Sequence, residues 1–473
     1  MNVLNQLVLS PFEWTMSDRI SASPMEFVVR LDCVGDVDAA KLADAILVEL
    51  KRQPLLQANA TVGETHRESF WRPASNCTPK IQWCDGNPDQ GRGVPDDFTP
   101  IDLENEIGIR FYGWRFLAND QTRIVMKFVY HHSCCDGKGG LAFADNVLHR
   151  YQLSMGETAS PLGDVAVVDP QQVNRRNLPA ASKSGILKRF WRTFVVRPKR
   201  AAKMLLSKPH IFSDDTGVPS ASNEDIFSDP PRLCSTKLSV PETEQLGELA
   251  KKLSATSNTI LARELFHSVN DWLTVDSGHK RRNLRILIPY SLRDERHEQM
   301  PAANCVSMVY LEASEKMLEA DSSDASVLLS EIVRQVDFIR RWNLQYSWIE
   351  SIAFHGKIWP ILKLFKFRKQ GSQNMAPITT TVMTNVGRAF SGSKLRNNDG
   401  EIAVDSLVVK SIYVLPPCSA TVPFICSVNF YGNRLTLAVN YLPSLLRQET
   451  AEGILHSWKR RILASVAAVS DDA

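Results

Sequence analysis

The feature that most constrains the fold is a strand that ends in two adjacent histidines. In QTRIVMKFVYHH (121–132), apolar side chains recur at every second position from Ile124 to Tyr130, the period of a strand with one buried face. The small residues of HHSCCDGKGG follow, and LAFADNVLHRYQL (141–153) then has the apolar spacing of a helix. The histidines are therefore predicted at a strand–loop–helix junction, where functional side chains are common.

A metal site is one interpretation of this stretch. Adjacent residues of an extended chain point to opposite faces, so His131 and His132 are poorly placed to bind one ion. The neighbouring Cys134 and Cys135 lack the C-x-x-C spacing of zinc sites, and the sequence has no second His/Cys cluster. We therefore predict no metal.

A thiol nucleophile is a second interpretation. Cys134 or Cys135 would need a base within reach, and either histidine can supply one. Free cysteine is more often a small buried residue than a nucleophile. The sequence leaves this interpretation open but does not favour it.

Acid–base chemistry fits the whole stretch best. A histidine exposed at a strand end can accept a proton from a hydroxyl, amine or thiol near neutral pH. Asp136 can hold the loop through an ion pair, and Gly137 can provide the backbone conformation or close approach that the turn needs. A lone histidine is usually an ordinary structural residue, but the combined pattern is far more restrictive than either histidine alone.

The length of 473 residues favours two domains over one core. EFVVRLDCV (26–34) predicts a strand, and Asp38 is a plausible cap for a helix with an apolar face. The alternation of strands and helices stops in a polar stretch with a basic middle and returns after residue 232. We therefore predict an α/β fold with two halves of mixed sheet and helices. The predicted divisions are an N-terminal half (1–170), a basic linker with one or two short helices (171–230) and a C-terminal half (231–473).

Composition limits the setting in which the protein works. A net charge of +3 gives no reason to expect nucleic acid as a partner. The nine cysteines have no disulfide-framework spacing, and the first residues do not resemble a signal peptide. No apolar run reaches the roughly 18 residues that a membrane span needs. We expect a cytoplasmic protein with free thiols.

Two stretches combine basic and large apolar residues, namely 183–208 and GKIWPILKLFKFRKQ (356–370). Segments of this kind often lie on anionic membranes. They can equally pack on the protein by their apolar side, or attract the phosphates of coenzyme A or an acidic carrier protein. The sequence leaves peripheral membrane contact and carrier-protein binding open.

HHSCCDG resembles the HHxxxDG motif of the coenzyme A-dependent acyltransferase superfamily. That superfamily includes chloramphenicol acetyltransferase, condensation domains of nonribosomal peptide synthetases, polyketide-associated acyltransferases, alcohol acetyltransferases and wax ester synthases. The segment 30–58 is also similar, with Gln53 in place of a histidine. Four further segments resemble the superfamily in the expected order: IDLENEIGIRF (101–111), ATSNTILAREL (255–265), IPYSLRDE (288–295) with NCVSM (304–308), and MTNVG (383–387). The DFGWG segment of condensation domains is absent from the sequence, which favours a free-standing acyltransferase.

The resemblance implies two chloramphenicol acetyltransferase-like halves that form a V with a tunnel between them. It implies acyl transfer from a coenzyme A or carrier-protein thioester to a hydroxyl or amine, without a cofactor, metal or covalent intermediate. The alternative is a non-catalytic recruitment domain, which would tend to lose the second histidine. The implied roles are general base for His132, structural roles for His131, Asp136, Gly137 and Arg293 (the ion-pair partner of Asp136), and substrate or oxyanion binding for loop amides, Thr384 and Asn385.

Overall fold

The computed structural model describes most of the chain. It covers residues 4, 7–17, 23–90, 99–156, 165–176, 190–199, 202, 207, 209–210, 226–227, 229–276, 283–324, 326–354 and 378–470. The basic stretch 356–370 and much of the predicted linker lie outside the described residues.

The described elements follow one another as strands and helices. In the first part of the chain they are β1 (Leu7–Val8), α1 (Pro11–Thr15), β2 (Glu26–Val34), α2 (Ala39–Leu50), β3 (Ala58–Thr61), β4 (Phe70–Pro73), β5 (Lys80–Asp85), β6 (Ile109–Ala118), β7 (Gln121–His131), α3 (Gly137–Ser154) and α4 (190–199). In the second part they are β8 (Arg232–Lys237), α5 (Val240–Lys252), α6 (Ser257–Asp276), β9 (Asn283–Ser291), β10 (Val306–Ser314), α7 (Glu315–Ser323), α8 (Val327–Trp342), α9 (347–354), β11 (Thr381–Arg388), β12 (Ala403–Val404), β13 (Leu407–Leu415), β14 (Phe424–Tyr431), β15 (Arg434–Tyr441) and α10 (Gln448–Ser470). Short 3-10 turns occur at Leu55–Gln57, His66–Glu68, Pro88–Gln90, Pro170–Arg175, Glu295–His297 and Leu344–Tyr346.

Two six-stranded mixed sheets form the frame of the molecule. One has the order β12-β13-β2-β7-β6-β5, and the other has the order β10-β9-β11-β14-β15-β8. A separate three-stranded sheet has the order β1-β4-β3. The predicted α/β fold with two mixed-sheet halves is confirmed.

The sheets do not follow the predicted division of the chain at residue 231. Strand β13 comes from the second part of the sequence, yet it pairs antiparallel with β2 in the first sheet. The short β12 extends that sheet beyond β13. The two halves are therefore joined by shared strands as well as by the chain between them.

Strand β7 shows why this sequence places the histidines where it does. Ile124, Met126, Phe128 and Tyr130 are buried in the core between the first sheet and its helices. The strand pairs with β2 on one side and β6 on the other, so its position in the sheet is fixed along its whole length. The predicted period-two pattern is confirmed.

Helix α2 also matches its prediction. Asp38 caps it by accepting hydrogen bonds from the amides of Ala40 and Lys41. Leu42, Ile46 and Leu50, spaced at four residues, are buried in the same core as β7. Among the described residues, no helix is long and apolar enough to cross a membrane.

Candidate active site

The HHxxxDG stretch forms the loop between β7 and α3. Asp136 is the cap of α3 and accepts a hydrogen bond from the amide of Gly139. His131 is the last residue of β7, is buried, and accepts a hydrogen bond from the amide of Ser133 on Nδ1. His131 thus helps to shape the loop, while His132 is the first residue beyond the strand.

The position of His132 is fixed by its backbone and its ring. Its amide donates to the carbonyl of Met25 at 2.7 Å. Its ring lies against two aromatic rings, with centroids 5.1 Å from Phe27 and 6.4 Å from Phe12. The ring is partly buried rather than exposed as the sequence suggested, because these aromatic side chains cover it.

One hydrogen bond selects the tautomer of the His132 ring. Nδ1 lies 3.2 Å from the carbonyl oxygen of Cys135. A carbonyl oxygen can only accept, so Nδ1 carries the proton of the neutral ring and Nε2 carries the lone pair. Burial lowers the pKa of His132 below its usual 6.5, although Asp136 and nearby carbonyl groups oppose the shift. The neutral ring with a basic Nε2 is therefore the favoured form at neutral pH.

Asn304, from the loop between β9 and β10, holds the same histidine from the other half. Its Nδ2 donates to the carbonyl oxygen of His132 at 2.6 Å. The same Nδ2 is 3.5 Å from Nδ1 of His132, but both atoms carry hydrogens, so this approach is no hydrogen bond. Asn304 stands at the start of NCVSM, so the resemblance marked the position but gave no role for its side chain.

Asp136, which is buried, and Arg293, which is partly buried, form an ion pair between the halves of the chain. The carboxylate also accepts from the amide of Cys305 at 2.9 Å, and the guanidinium donates to the carbonyl of Ala303 at 2.9 Å. Burial alone would raise the pKa of Asp136, but Arg293 and the amide donors hold it below its usual value. The carboxylate is thus charged and fully bonded, which suits a structural role.

Gln53 supports the loop that carries Asn304. Its Oε1 accepts from the amide of Ala302 at 2.6 Å, and its Nε2 donates to the buried carboxylate of Glu49 at 2.7 Å. Gln53 occupies the position where the related proteins are expected to carry a histidine. A glutamine can make both hydrogen bonds at once, because its side-chain oxygen accepts while its side-chain nitrogen donates.

Close packing favours glycine at positions 137 and 139, two of the three glycines in the first turn of α3. A β-carbon on Gly137 would lie 3.0 Å from a methyl carbon of Val414 and 3.1 Å from one of Val386. One on Gly139 would lie 3.3 Å from the backbone nitrogen of Ala303. Neither glycine has a positive φ. Of the two reasons predicted for Gly137, close approach is therefore the one that the structure shows.

Thr384 and Asn385 lie on opposite faces of β11, because side chains alternate along a strand. The side-chain Nδ2 of Asn385 donates to Oδ1 of Asn258 in α6 at 2.7 Å. The strand is irregular between Asn385 and Arg388, and Val386 within that stretch packs on Gly137 of the loop. Asn385 is thus engaged with α6, whereas Thr384 is buried in the strand next to it.

The N-terminal segment packs beneath the histidine loop, which the sequence did not reveal. Glu13 is fully buried and pairs with Arg176, whose Nε is 2.5 Å from Oε1. The indole of Trp71 also donates to this carboxylate at 3.0 Å. Ser133 of the loop donates to the carbonyl oxygen of Glu13 at 2.9 Å. This contact ties the loop to helix α1, which carries the Phe12 ring beside His132.

Both cysteines of the loop are buried, and burial raises the pKa of each thiol well above its usual value. A nucleophilic cysteine needs the opposite, a stabilised and accessible thiolate. Within the described part of the chain, no group of three or more His, Cys, Asp or Glu side chains is arranged to hold a metal ion. Among the loop side chains, His132 is therefore the candidate catalytic residue.

The sequence matches no known protein-family model and no curated protein. Solved structures do match over nearly the whole chain. The trichothecene 15-O-acetyltransferase of Fusarium sporotrichioides has a TM-score of 0.64 at 12% identity, covering 97% of this chain and 94% of that one. The first condensation domain of the calcium-dependent antibiotic synthetase, in complex with a substrate analogue, has a TM-score of 0.62 at 13% identity, covering 98% and 96%.

A third similar structure is the polyketide synthase associated protein 5 of Mycobacterium tuberculosis. Its TM-score is 0.57 at 12% identity, and the match covers 98% of this chain and 100% of that one. At such low identity these likenesses concern the fold. The chain therefore shares its fold with an acetyltransferase and with a condensation domain.

Proposed function

We propose that the protein is an acyltransferase that moves an acyl group from a thioester to a hydroxyl or amine, with His132 as the general base. The observation that carries this proposal is the hydrogen bond from Nδ1 of His132 to the carbonyl of Cys135, which leaves Nε2 free to accept a proton. The shared fold supports acyl transfer in general, because both an acetyltransferase and condensation domains have it.

The proposed reaction needs one proton carrier and no covalent enzyme intermediate. Nε2 of His132 takes the proton from the acceptor O–H or N–H as that atom attacks the thioester carbonyl carbon. The resulting tetrahedral oxyanion collapses, the C–S bond breaks, and the leaving thiolate takes the proton back from Nε2. The products are an ester or amide and a free thiol, and His132 returns to its starting state.

Fewer groups are available to donate hydrogen bonds to the oxyanion than the sequence suggested. The amides of His132, Ser133, Cys134 and Asp136 already donate to acceptors within the protein. Asn385 is bonded to Asn258 on the other face of its strand. The amides of Gly139 and Gly140 also donate already, both to Asp136. We therefore propose the Thr384 hydroxyl and the amides of Gly137 and Lys138 as donors, since such groups stabilise the oxyanion when they are fixed in advance.

The donor is proposed to be an acyl-CoA or an acylated carrier protein, with no further cofactor. The names of the similar structures refer to O-acetyl transfer and to condensation, so both oxygen and nitrogen acceptors are retained in the proposal. All nine cysteines are free thiols in the structure, which suits the proposed cytoplasmic location.

The test is to incubate the purified protein with acyl-CoAs of graded chain length and a panel of alcohols and amines. Mass spectrometry should show a product heavier than the acceptor by the acyl group, and a thiol reagent should show one free coenzyme A per product. Repeating the assay with an acylated carrier protein distinguishes the two donors. If neither donor yields product in any combination, the recruitment-domain alternative replaces the enzyme.

The pH dependence of acyl transfer should report the lowered pKa of His132. Activity requires the neutral ring, so it should fall as the pH drops through the pKa of the free enzyme's histidine. Because burial lowers that pKa, we expect the acidic limb of kcat/KM to have its midpoint below 6.5. A midpoint above 6.5, measured with an acceptor that does not itself titrate there, would contradict this assignment.

The loop cysteines should be dispensable for chemistry. We expect Cys134→Ala and Cys135→Ala each to retain most of the acyl-transfer rate, because both thiols are buried and their raised pKa values disfavour the thiolate. Cys426→Ala is the matched control for the cost of removing a packed sulfur, because Cys426 is buried in the core of the second six-stranded sheet. Loss of activity in a folded loop variant, but not in the control, would indicate a thiol acyl-enzyme instead.

A further inference from the structure

Helix α4, whose centre Arg192–Val196 is a π-helix, buries an arginine beside Val196 and exposes aromatic side chains. Arg192 is only 2% exposed, whereas Phe190, Trp191 and Phe194 are 54%, 47% and 66% exposed. A surface helix normally buries its apolar stripe and shows its charges to water. We call the three exposed side chains, Phe190, Trp191 and Phe194, the aromatic face.

The arginines on the inner side of α4 are held by helix α9. Arg192 pairs with Glu350 at 2.5 Å, and Arg197 pairs with the same carboxylate at 3.2 Å. Arg197 also donates to Ser351. This docking fixes which side of α4 turns outward. Arg192 and Arg197 are therefore engaged within the protein.

The outward side is continuous and apolar. The rings of Phe190 and Phe194 are 4.9 Å apart, so they form one surface rather than two isolated side chains. Exposed apolar surface that is contiguous usually marks an interaction site, whereas scattered single residues do not.

We propose that the aromatic face binds the surface of an anionic membrane, with its rings inserted among the lipid headgroups. Trp and Phe are the side chains that commonly occupy this interface. The charge of the sequence that contains this face selects the lipid: every charged residue in 183–208 is Lys or Arg. Such a concentration of positive charge attracts anionic lipid and repels a second copy of this chain.

Sedimentation with lipid vesicles tests this inference. The full-length protein should bind vesicles of phosphatidylcholine mixed with phosphatidylserine, and should bind pure phosphatidylcholine at least about tenfold more weakly. Raising the salt concentration should reduce the difference, because salt screens the attraction between charges. Equal binding to both kinds of vesicle, or no binding to either at low salt, would overturn the proposal.

Substitutions then assign the binding to the aromatic face. The combined variant Phe190→Ser, Trp191→Ser and Phe194→Ser should lower the vesicle partition coefficient at least about tenfold, since three apolar side chains lose their burial in lipid. Leu117→Ser is the matched control, because Leu117 is 73% exposed on β6 in the first sheet. Circular dichroism should show both variants folded, as all the altered side chains are exposed.

Two results would speak against this assignment. If Leu117→Ser weakens vesicle binding as much as the combined variant, the effect is not specific to α4. If the unmodified protein forms dimers that the combined variant abolishes, and does not bind vesicles, then the face joins two copies of the chain. The readout is vesicle binding, so the inference stands or falls independently of the proposed acyl transfer.

Discussion

We expect His132→Ala to lower the rate of acyl transfer by about 10²–10⁴-fold, the range typical of a lost general base. The variant keeps the hydrogen bonds made by the backbone of residue 132, including the one that its carbonyl oxygen accepts from Asn304. The partly buried imidazole contributes its ring contacts with Phe12 and Phe27 but no ion pair. Steady-state rates with saturating thioester and acceptor measure the effect.

The control for His132→Ala is His456→Ala, which removes an exposed histidine from helix α10. It should leave the rate unchanged. Thermal unfolding followed by circular dichroism should show that both variants are folded. An active His132→Ala protein, with a rate within a few-fold of the unmodified one, would show that another group accepts the proton.

The second large effect concerns stability rather than catalysis. Asp136→Ala should lower the free energy of unfolding by about 3–5 kcal/mol, because the largely covered guanidinium of Arg293 would lose its partner. The same substitution removes the acceptor for the amides of Gly139 and Cys305. Denaturant unfolding at neutral pH measures the loss. Arg293→Ala should cost a similar amount, since it leaves the Asp136 carboxylate unpaired.

Glu248→Ala is the matched control for the buried pair. Glu248 pairs with Lys251 at 2.7 Å, but both side chains are largely exposed on helix α5. Exposed ion pairs contribute about 0–1 kcal/mol, so this variant should be nearly as stable as the unmodified protein. If the Asp136 and Glu248 variants lose equal stability, the pair between the halves does not hold the loop.

The acid dependence of unfolding gives a second test of the same pair. The pKa of Asp136 is lower in the folded protein than its usual 3.8. The stabilisation that its carboxylate gives to the folded state is therefore fully present above pH 3.8. It is lost as the pH falls through the lowered pKa, where the folded carboxylate finally takes up a proton. Asp136→Asn removes this titration, so its unfolding free energy should vary less between pH 5 and 2 than that of the unmodified protein.

The sequence by itself determined the local units around the site. The period-two pattern of β7 and the cap at Asp38 predict elements that the structure confirms, because such patterns depend on neighbours a few residues apart. The two-half α/β fold also followed from the sequence, through the resemblance of HHSCCDG and the ordered segments around it. The pairing of Asp136 with Arg293, which the resemblance implied, is present in the structure.

The tertiary structure alone decided how the two halves meet. Strand β13 enters the first sheet across more than half the chain, and no local pattern in its sequence specifies β2 as its partner. Asn304 and His132 are 172 residues apart in sequence, and Glu13 and Arg176 are 163 apart. Contacts of this range form only after both elements are packed, so spacing along the chain cannot reveal them.

The same distinction explains the two polar residues of β11. Alternation along a strand separates Thr384 from Asn385, but it does not say which face of the strand turns towards His132. Contacts between elements supply what is known: Asn385 bonds to Asn258 in α6, and Val386 packs on Gly137 of the loop. Helix α4 shows the same distinction: its apolar and basic sequence predicts a helix, but contacts with Glu350 and Ser351 of α9 determine that two of its arginines turn inward.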